Sequence, residues 1–468
     1  MNALIILATL TVFGGVLFLA PSEGPGALVL SIITLIPALA ILARSKTDRT
    51  FLIRLLILGL LVRIVVGTVI FIGNYQEFFG GDADTYSHFG QALAASWHGD
   101  KYHLGRYQAF VSSGASAWGM LYLVAAVYEL LGENMLAVQL IVASVGASTA
   151  VVVYHTAELL FNNRRVSRLT ALLVAFFPSL VLWSSQALKD GLIVLVLALT
   201  ILATLKLMEK FSIPYLIILT SGLLSLLTLR FYIFYMMAAA VGGSFILGMK
   251  GGNMQTFVRK FAAVVAIGMV FTWFGVVRYA GAQFDKYANI DTLKVSRLDQ
   301  QRSAESGFGQ DVDIETTEGA LWIVPIGLLY LLFAPFPWQL ASLRQVITLP
   351  EMVIWWVSFP LLVLGLWYAV KHRLRAVSPI VMFTTMLTLV YSVFQGNVGT
   401  AYRQRSQLLV FYFIFVAVGA VMVLERREDR ARDVQKAKKD LADLQAARVL
   451  ARRRGNDLQE SQQAVARQ

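Results

Sequence analysis

Apolar segments of membrane-spanning length recur along almost the whole chain, and they limit its fold more than any other feature. A helix needs about 17–25 predominantly apolar residues to cross the hydrocarbon core of a bilayer. The chain has 468 residues, of which 57% are hydrophobic and 15% charged, which excludes a soluble domain of this size. The sequence therefore predicts an all-α polytopic membrane protein with about 12 transmembrane helices. The candidate spans are 3–20, 27–43, 51–72, 135–160, 169–186, 190–208, 213–229, 231–249, 257–278, 352–371, 379–395 and 407–424.

The basic residues predict how these spans are oriented. Lys and Arg are concentrated in short loops on one side of the arrangement, for example at Arg44, Lys46 and Arg49. Such a bias is typical of the cytoplasmic side, so both termini are expected in the cytoplasm. Two more apolar stretches, 115–131 and 320–335, would place a basic loop outside if they crossed. We interpret them as juxtamembrane or re-entrant helices at the outer face.

The same arrangement divides the chain into three parts. Residues 1–50 form a two-span anchor, whose first apolar run lacks a basic leader and a small-residue cleavage site and is expected to be retained. Residues 51–424 form the main transmembrane module, with long outer loops at about 73–134 and 279–351. Residues 425–468 form a charged cytoplasmic tail, predicted to be an amphipathic helix or weak coiled coil. Self-association through this tail is one candidate role.

Composition and missing motifs exclude several classes of function. The net charge of +12 would suit a nucleic-acid partner in a soluble protein. Here the basic residues lie in short loops and the tail, which indicates topology and contact with anionic membrane lipids instead. The chain has no cysteine, so disulfides and thiol chemistry are excluded. It also lacks a P-loop, which argues against an ATP-driven pump.

The motif FFGGDADTYSHFG in the first outer loop is the strongest chemical signal. Its carboxylates, Asp82 and Asp84, follow a Gly-Gly pair that permits a tight turn. Two acids at this spacing can share a metal, or one can act as a base while the other positions it. Tyr86 and His88 follow on a predicted short helix and are candidate substrate-binding residues. The alternative is a solvated loop in which an aspartate caps the helix.

Two further outer sites carry ionisable residues at the ends of spans. Lys189 and Asp190 lie between two spans, where an ionisable pair is costly unless it is used or paired. A salt bridge within the turn is the alternative. Arg230 precedes Tyr232 at another junction, and its guanidinium suits phosphate oxygens. A snorkelling anchor is the alternative there.

The segment QGNVGTAYRQRSQ is predicted to be an outer loop that has two arginines and no acid. Arg403 and Arg405 therefore depart from the usual charge bias of outer loops. A phosphate or pyrophosphate headgroup in the outer leaflet would explain them. Pairing with acids of the 279–351 loop is the alternative.

A metal site is a weaker possibility in the first outer loop. His88, His98 and His103 lie there together with the two aspartates, so a divalent metal is one candidate cofactor. Their irregular spacing argues against it. No GxSxG motif for a nucleophilic serine is present.

The motif FGGDADTYSHFGQALA resembles the outer acidic loop of the C-type (GT-C) membrane glycosyltransferases, which use polyprenyl-phosphate-linked sugars as donors. The segment that follows is also similar. It contains a juxtamembrane helix, a span that ends in a short basic loop near an LF dipeptide, and a span with a proline and an outer aspartate. The resemblance covers about residues 70–250. The Pro-Pro-Leu element of the lipid A and protein-mannosyl branches is absent, and SSGASAW stands near its place, which leaves the acceptor class open.

The resemblance implies roles for individual residues. Asp82 or Asp84 would match the base that takes the proton of the acceptor hydroxyl, and Asp190 would match the second outer acid. Arg403 and Arg405 would be candidates for the lipid phosphate.

We therefore expect an inverting glycosyltransferase in a bacterial inner (plasma) membrane, with its active site on the periplasmic or extracellular side. It would transfer sugar from a polyprenyl-phosphate donor to a glycan or lipid acceptor in cell-envelope or exopolysaccharide assembly. The alternatives are a polymerase or ligase that uses a diphospholipid-linked glycan, a lipid-linked-glycan flippase, and a non-catalytic scaffold. A flippase would need ionisable groups near the membrane midplane, where Arg63 is one of few.

Overall fold

The structure is a computed structural model in which the described residues are almost entirely helical, which confirms the predicted all-α class. It describes residues 3–45, 47–112, 118–249, 317–340 and 342–465, with a few isolated positions between 250 and 316. The helices are α1 (Ala3–Leu19), α2 (Gly24–Arg44), α3 (Arg49–Ile72), α4 (Gln76–Phe79), α5 (Asp82–Trp97), α6 (Lys101–Ser112), α7 (Trp118–Leu131), α8 (Met135–Phe161), α9 (Arg164–Phe176), α10 (Pro178–Ser184), α11 (Lys189–Glu209), α12 (Ile213–Leu229), α13 (Phe231–Met249), α14 (Thr317–Phe333), α15 (Leu343–Phe394) and α16 (Val398–Val465).

Within the described residues, six helices are long and apolar enough to cross a membrane: α2, α3, α8, α11, α15 and α16. The pair α9 and α10, bent by 53°, makes a seventh if it is one span. Helix α15 is interrupted at Arg373, between the predicted spans 352–371 and 379–395. The other apolar helices are shorter, so the predicted number of about 12 spans stays a prediction. Most of the predicted span 257–278 and about half of the loop 279–351 lie outside the described residues.

Helix α8 lies at the centre of the bundle. Its most apolar window is entirely buried, and it packs against α2, α3, α9 and α11. Small residues along α8 let the neighbouring backbones approach closely, as is common between transmembrane helices. Gly146 shows how close the approach is, because a Cβ atom added there would lie 2.4 Å from the Cβ of Ser184 in α10.

The break between α9 and α10 is held by an arginine from α3. Pro178 has no backbone N–H, so it cannot continue the hydrogen bonds of α9. Arg63 donates to the carbonyl oxygen of Ala175 at 2.7 Å and to Oγ of Ser184 at 2.7 Å. The buried cation therefore satisfies main-chain oxygens at the end of α9 and fixes α10, which leads to the start of α11.

Helices α5, α6 and α7 form a layer over one end of the bundle, which we call the site end because Asp82 begins α5 there. Helix α7 packs along α5, and its two ends lie against α12 and α2. With 14 residues it is too short to span a membrane, as expected for the juxtamembrane stretch 115–131. Residues 113–117 lie outside the described residues.

The opposite end carries the basic loops. Arg168 binds the carboxylate of Asp48 through two nitrogens, at 2.5 and 2.8 Å, and the hydroxyl of Tyr154 donates to the same carboxylate at 2.8 Å. Arg165 pairs with Glu428 at 2.9 Å, where α16 continues beyond the apolar bundle. These contacts join α3, α8, α9 and α16 at this end.

Candidate functional site

A single guanidinium joins three helices at the site end. Nη1 of Arg403 lies 2.6 Å from Oδ2 of Asp82, at the start of α5. Nε of Arg403 donates to Oδ2 of Asp190 at 2.8 Å, and Nη2 lies 2.5 Å from the same oxygen. Two of the three acids predicted as functional, Asp82 and Asp190, are thus brought together by one of the three predicted arginines. We call Asp82, Asp190 and Arg403 the acid–arginine network.

Local structure explains why these three side chains meet. Gly80 has a φ of 126°, a value that L-residues rarely adopt, and this turn directs the chain into α5 beginning at Asp82. Asp190 lies in the first turn of α11, where the helix dipole stabilises a negative charge. Arg403 lies near the beginning of α16. The first turns of α5, α11 and α16 therefore bring two carboxylates and one guanidinium together.

Asp190 is completely buried, and each of its oxygens has a partner. Nε2 of Gln407 donates to Oδ1 of Asp190 at 3.3 Å, and Nη2 of Arg230 lies 3.7 Å from the same oxygen. The side-chain carbonyl oxygen of Gln407 in turn accepts a hydrogen bond of 2.5 Å from the hydroxyl of Tyr391. Because a carboxylate only accepts, Gln407 must present its amide nitrogen to Asp190. This polar chain orients the buried acid.

Gln407 and Tyr391 were not singled out in the sequence. Gln407 follows Arg403 by four residues, so the two side chains share one face of a helix. That spacing could have identified Gln407 if residues 396–406 had been assigned to a helix. Instead the sequence predicted a loop there, whereas α16 already begins at Val398. The polar first turns of α16 are helical because protein partners, and not lipid, surround them.

Two more basic side chains lie beside the network. Lys189 is buried, with Nζ 5.8 Å from the ring centroid of Tyr86. Arg230 is also buried, and its Nη1 has no hydrogen-bond partner among the described residues. The ring of Tyr232 lies 5.8 Å from the guanidinium of Arg230. Three basic groups and an unused N–H at one place are suited to an anion with several oxygens.

Asp84 and His88 do not join the network. On α5, Asp82 and Tyr86 lie four residues apart and face the network, whereas Asp84 lies on another face. Partial burial, followed by the charge of Glu77, raises the pKa of the Asp84 carboxyl above its ordinary value. His88 is exposed and contacts the guanidinium of Arg106.

Arg405 also lies apart from the network. It is 2% exposed, and it donates to the carbonyl oxygen of Ala334 and to Sδ of Met352. Two residues on a helix point about 200° apart, so Arg403 and Arg405 cannot face the same ligand. The indole N–H of Trp355 donates to the carbonyl oxygen of Leu332 at 2.7 Å, and that of Trp356 donates to the carbonyl oxygen of Phe333 at 3.1 Å. Arg405 therefore belongs to a set of side chains that cap the end of α14.

Two of the three histidines of the first outer loop pair with acids, and the three do not meet at one point. His98 lies 2.9 Å from Glu129, and His103 lies 2.6 Å from Asp100. Among the residues that the structure describes, no three His, Asp or Glu side chains are grouped closely enough to hold a metal ion. The candidate metal site therefore has no donor set in the described part of the loop.

A small cavity lies deeper in the bundle, between Asp190 and Arg63. Its volume is about 20 Å³, and Trp183, Ser184 and Ser406 are among the residues that line it. This is room for about one water molecule, far less than a sugar ring needs.

Comparison with known proteins finds a similar family and a similar solved structure. Residues 116–277 match the family model for dolichyl-phosphate-mannose-protein mannosyltransferases. Among solved structures, the chain is similar to ArnT from Cupriavidus metallidurans bound to undecaprenyl phosphate, with 15% sequence identity and a TM-score of 0.44. That alignment covers 71% of this chain and 54% of the ArnT chain. A comparison with curated proteins gives no match. The matched segment thus confirms the resemblance to the C-type, lipid-linked-sugar-dependent membrane glycosyltransferases that the sequence motifs predict.

Proposed function

We propose that the protein is an inverting glycosyltransferase that moves a sugar from a polyprenyl-phosphate donor to a cell-envelope or exopolysaccharide acceptor. The observation that carries this proposal is the bridge from Arg403 to Asp82, 2.6 Å long, beside the buried Asp190. The bridge places a solvent-accessible carboxylate next to a group of basic side chains. Transfer of a sugar from a phosphate leaving group needs both kinds of group side by side.

Asp82 would act as the general base. Its side chain is 51% exposed, so an acceptor hydroxyl can reach it from the outer side. Asp82 takes the hydroxyl proton as the acceptor oxygen attacks the anomeric carbon. The bond from that carbon to the phosphate oxygen breaks in the same step, and the electron pair leaves with the polyprenyl phosphate. Attack opposite the leaving group inverts the anomeric configuration.

Arg403, Arg230 and Lys189 would bind the donor phosphate. A guanidinium offers N–H groups in a fixed plane, and hydrogen bonds to an ionised phosphate are shorter and stronger than neutral ones. The Nη1 of Arg230, which has no partner among the described residues, supplies a donor for this purpose. As negative charge grows on the leaving phosphate, these donors stabilise it without having to move.

A flippase is less well supported by the described spans. The midplane cation that such a transporter would use, Arg63, already donates to Gly59, Ala175 and Ser184 within the bundle. The polymerase or ligase alternative remains distinguishable by its product, because a diphospholipid donor releases polyprenyl diphosphate instead of polyprenyl phosphate.

The proposal is tested by following the glycan product in cells that carry the wild type, Asp82→Asn or Asp84→Asn at matched membrane expression. Loss of the product is expected for Asp82→Asn and a smaller decrease for Asp84→Asn. The two variants make the same chemical change on the same helix, so Asp84→Asn controls for helix stability and surface charge. Normal product from Asp82→Asn would contradict the assignment of Asp82 as the base.

A further inference from the structure

We infer that the donor phosphate and Asp82 compete for Arg403, so that binding of the donor releases the base. This inference rests on the proposed function, because it describes how the same site is regulated. In this structure, Arg403 holds the carboxylate of Asp82 at 2.6 Å. With donor, the phosphate takes the place of that carboxylate, and Asp82 becomes free to accept the acceptor's hydroxyl proton.

The two ion pairs of Arg403 differ in a way that decides which one breaks. Asp190 is completely buried, accepts a hydrogen bond from Nε of Arg403 and lies 2.5 Å from Nη2 of the same guanidinium in an ion pair. Asp82 receives Nη1 alone, and its side chain is 51% exposed. Exposed ion pairs contribute little because water competes for both partners, whereas a buried pair cannot lose one partner without leaving an uncompensated charge. The Asp82 contact is therefore the one that an incoming ligand displaces.

The surroundings of Arg403 favour a phosphate as that ligand. Arg230 lies on the other side of Asp190, 3.7 Å from its Oδ1, and its buried Nη1 has no hydrogen-bond partner in the part of the chain that the structure describes. Lys189 precedes Asp190 and is buried in the same place. A phosphate can accept hydrogen bonds from several of these groups through its separate oxygens, whereas Asp82 reaches only Arg403 among them in this structure.

The competition imposes an order on the reaction. The guanidinium of Arg403 occupies Oδ2 of Asp82 in this structure. While that contact lasts, the acceptor hydroxyl has to compete with the guanidinium for the carboxylate. The donor must bind first, and the acceptor is engaged productively only afterwards.

Equilibrium binding to the purified full-length protein tests the inference. Undecaprenyl phosphate and inorganic phosphate are the two anionic probes, and the dephosphorylated polyprenol is the control ligand. Asp82→Asn removes the competing carboxylate and should tighten phosphate binding by about tenfold, equivalent to about 1.4 kcal/mol. Asp84→Asn removes the same charge two residues away and should change it by less than about twofold. The probe that the wild type binds more tightly identifies whether the lipid or the free anion is the ligand.

A double-mutant cycle separates displacement from simple charge repulsion. In an Arg403→Gln background there is no shared guanidinium, so Asp82→Asn should no longer tighten binding. Repulsion alone would persist in that background, and its persistence would overturn the inference. Equal tightening of polyprenol binding would overturn it as well. Melting temperatures of all variants confirm that the folded protein is compared.

The outcomes also separate this inference from the proposed function. If the wild type and every variant bind neither anionic probe, the phosphate-donor assignment itself is wrong. If the wild type binds undecaprenyl phosphate and Asp82→Asn behaves like Asp84→Asn, only the competition for Arg403 is wrong.

Discussion

The buried carboxylate of Asp190 lies 2.5 Å from Nη2 of Arg403, although 213 positions separate the two residues in the chain. Asp190 begins α11 and Arg403 lies near the start of α16, so this ion pair ties together two helices at the site end. Because both groups are shielded from water, each depends on the other for its charge balance.

Replacing Asp190 should therefore destabilise the protein as well as inactivate it. Asp190→Asn keeps the shape of the side chain but leaves Arg403 and Arg230 without their buried counter-charge. Loss of one partner of a buried ion pair costs about 3–5 kcal/mol. A clear drop in the melting temperature is expected in detergent. Asp84→Asn is the matched control, and a similar drop for both variants would contradict the role of the buried pair.

The two arginines of the YRQR motif should respond differently to the same substitution. Arg403→Lys removes the fixed plane of donors at the network, and transfer should fall by about 100-fold, as when an oriented donor to a developing anion is lost. Arg405→Lys should lower stability by about 1–3 kcal/mol, since a buried carbonyl loses its partner, and leave the KM for the donor unchanged. Steady-state kinetics and melting temperatures measure the two effects. A changed donor KM in Arg405→Lys would show that Arg405 does reach the substrate.

Arg63 should matter for stability because it holds the break between α9 and α10. Arg63→Met leaves the carbonyl of Ala175 and the hydroxyl of Ser184 without this donor, at a cost of about 1–3 kcal/mol for each buried group that stays unpaired. A large fall in melting temperature is expected. Arg44→Met, at the exposed end of α2, is the control and should change the melting temperature little. Equal effects of the two substitutions would contradict the capping role.

Asp48 should give the opposite end of the bundle a pH-dependent stability. Its hydrogen bonds with Arg168, the largest cause, hold the pKa of the Asp48 carboxyl below its ordinary value of 3.8. A lowered pKa in the folded state stabilises the protein above the ordinary pKa, and the stabilisation is lost as the pH falls through the lowered one. Asp48→Asn should therefore cost about 1–2 kcal/mol at neutral pH, a modest amount since Arg168 is half exposed.

Melting temperatures of the wild type and Asp48→Asn between pH 3 and pH 7 check this prediction. The difference between the two proteins should be largest at neutral pH and should shrink in acid. A constant difference over the whole range would show that the carboxylate charge of Asp48 contributes nothing.

Much of this fold follows from local pattern. The apolar runs predicted α2, α3, α8 and α11 closely, because a helix that is buried or in contact with lipid must be apolar over its whole length. The juxtamembrane position predicted for α7 from charge bias and length stays a prediction. These are properties of one segment at a time, so a single sequence contains them.

The partners within the site could be predicted less well. The sequence identified Asp82 and Arg403 as charged residues of outer loops, and Asp190 and Arg230 as charged residues at the ends of spans. Nothing in a single sequence says which acid meets which base. Arg405 was expected beside Arg403, and the helical turn from Val398 separates them instead. The chain from Tyr391 through Gln407 to Asp190 depends on the packing of α11, α15 and α16, which local pattern does not encode.

In the described part of the chain, three arginine side chains donate hydrogen bonds to main-chain carbonyls at helix ends. Arg63 donates at the end of α9, Arg373 at Leu160 of α8, and Arg405 at Ala334 beyond α14. A peptide carbonyl remains in place whatever side chain its residue carries, so exchanging a side chain does not remove these contacts. Arg403 differs, because the groups that it binds are themselves side chains. Substitutions can therefore alter the acid–arginine network while the helices that carry it stay in place.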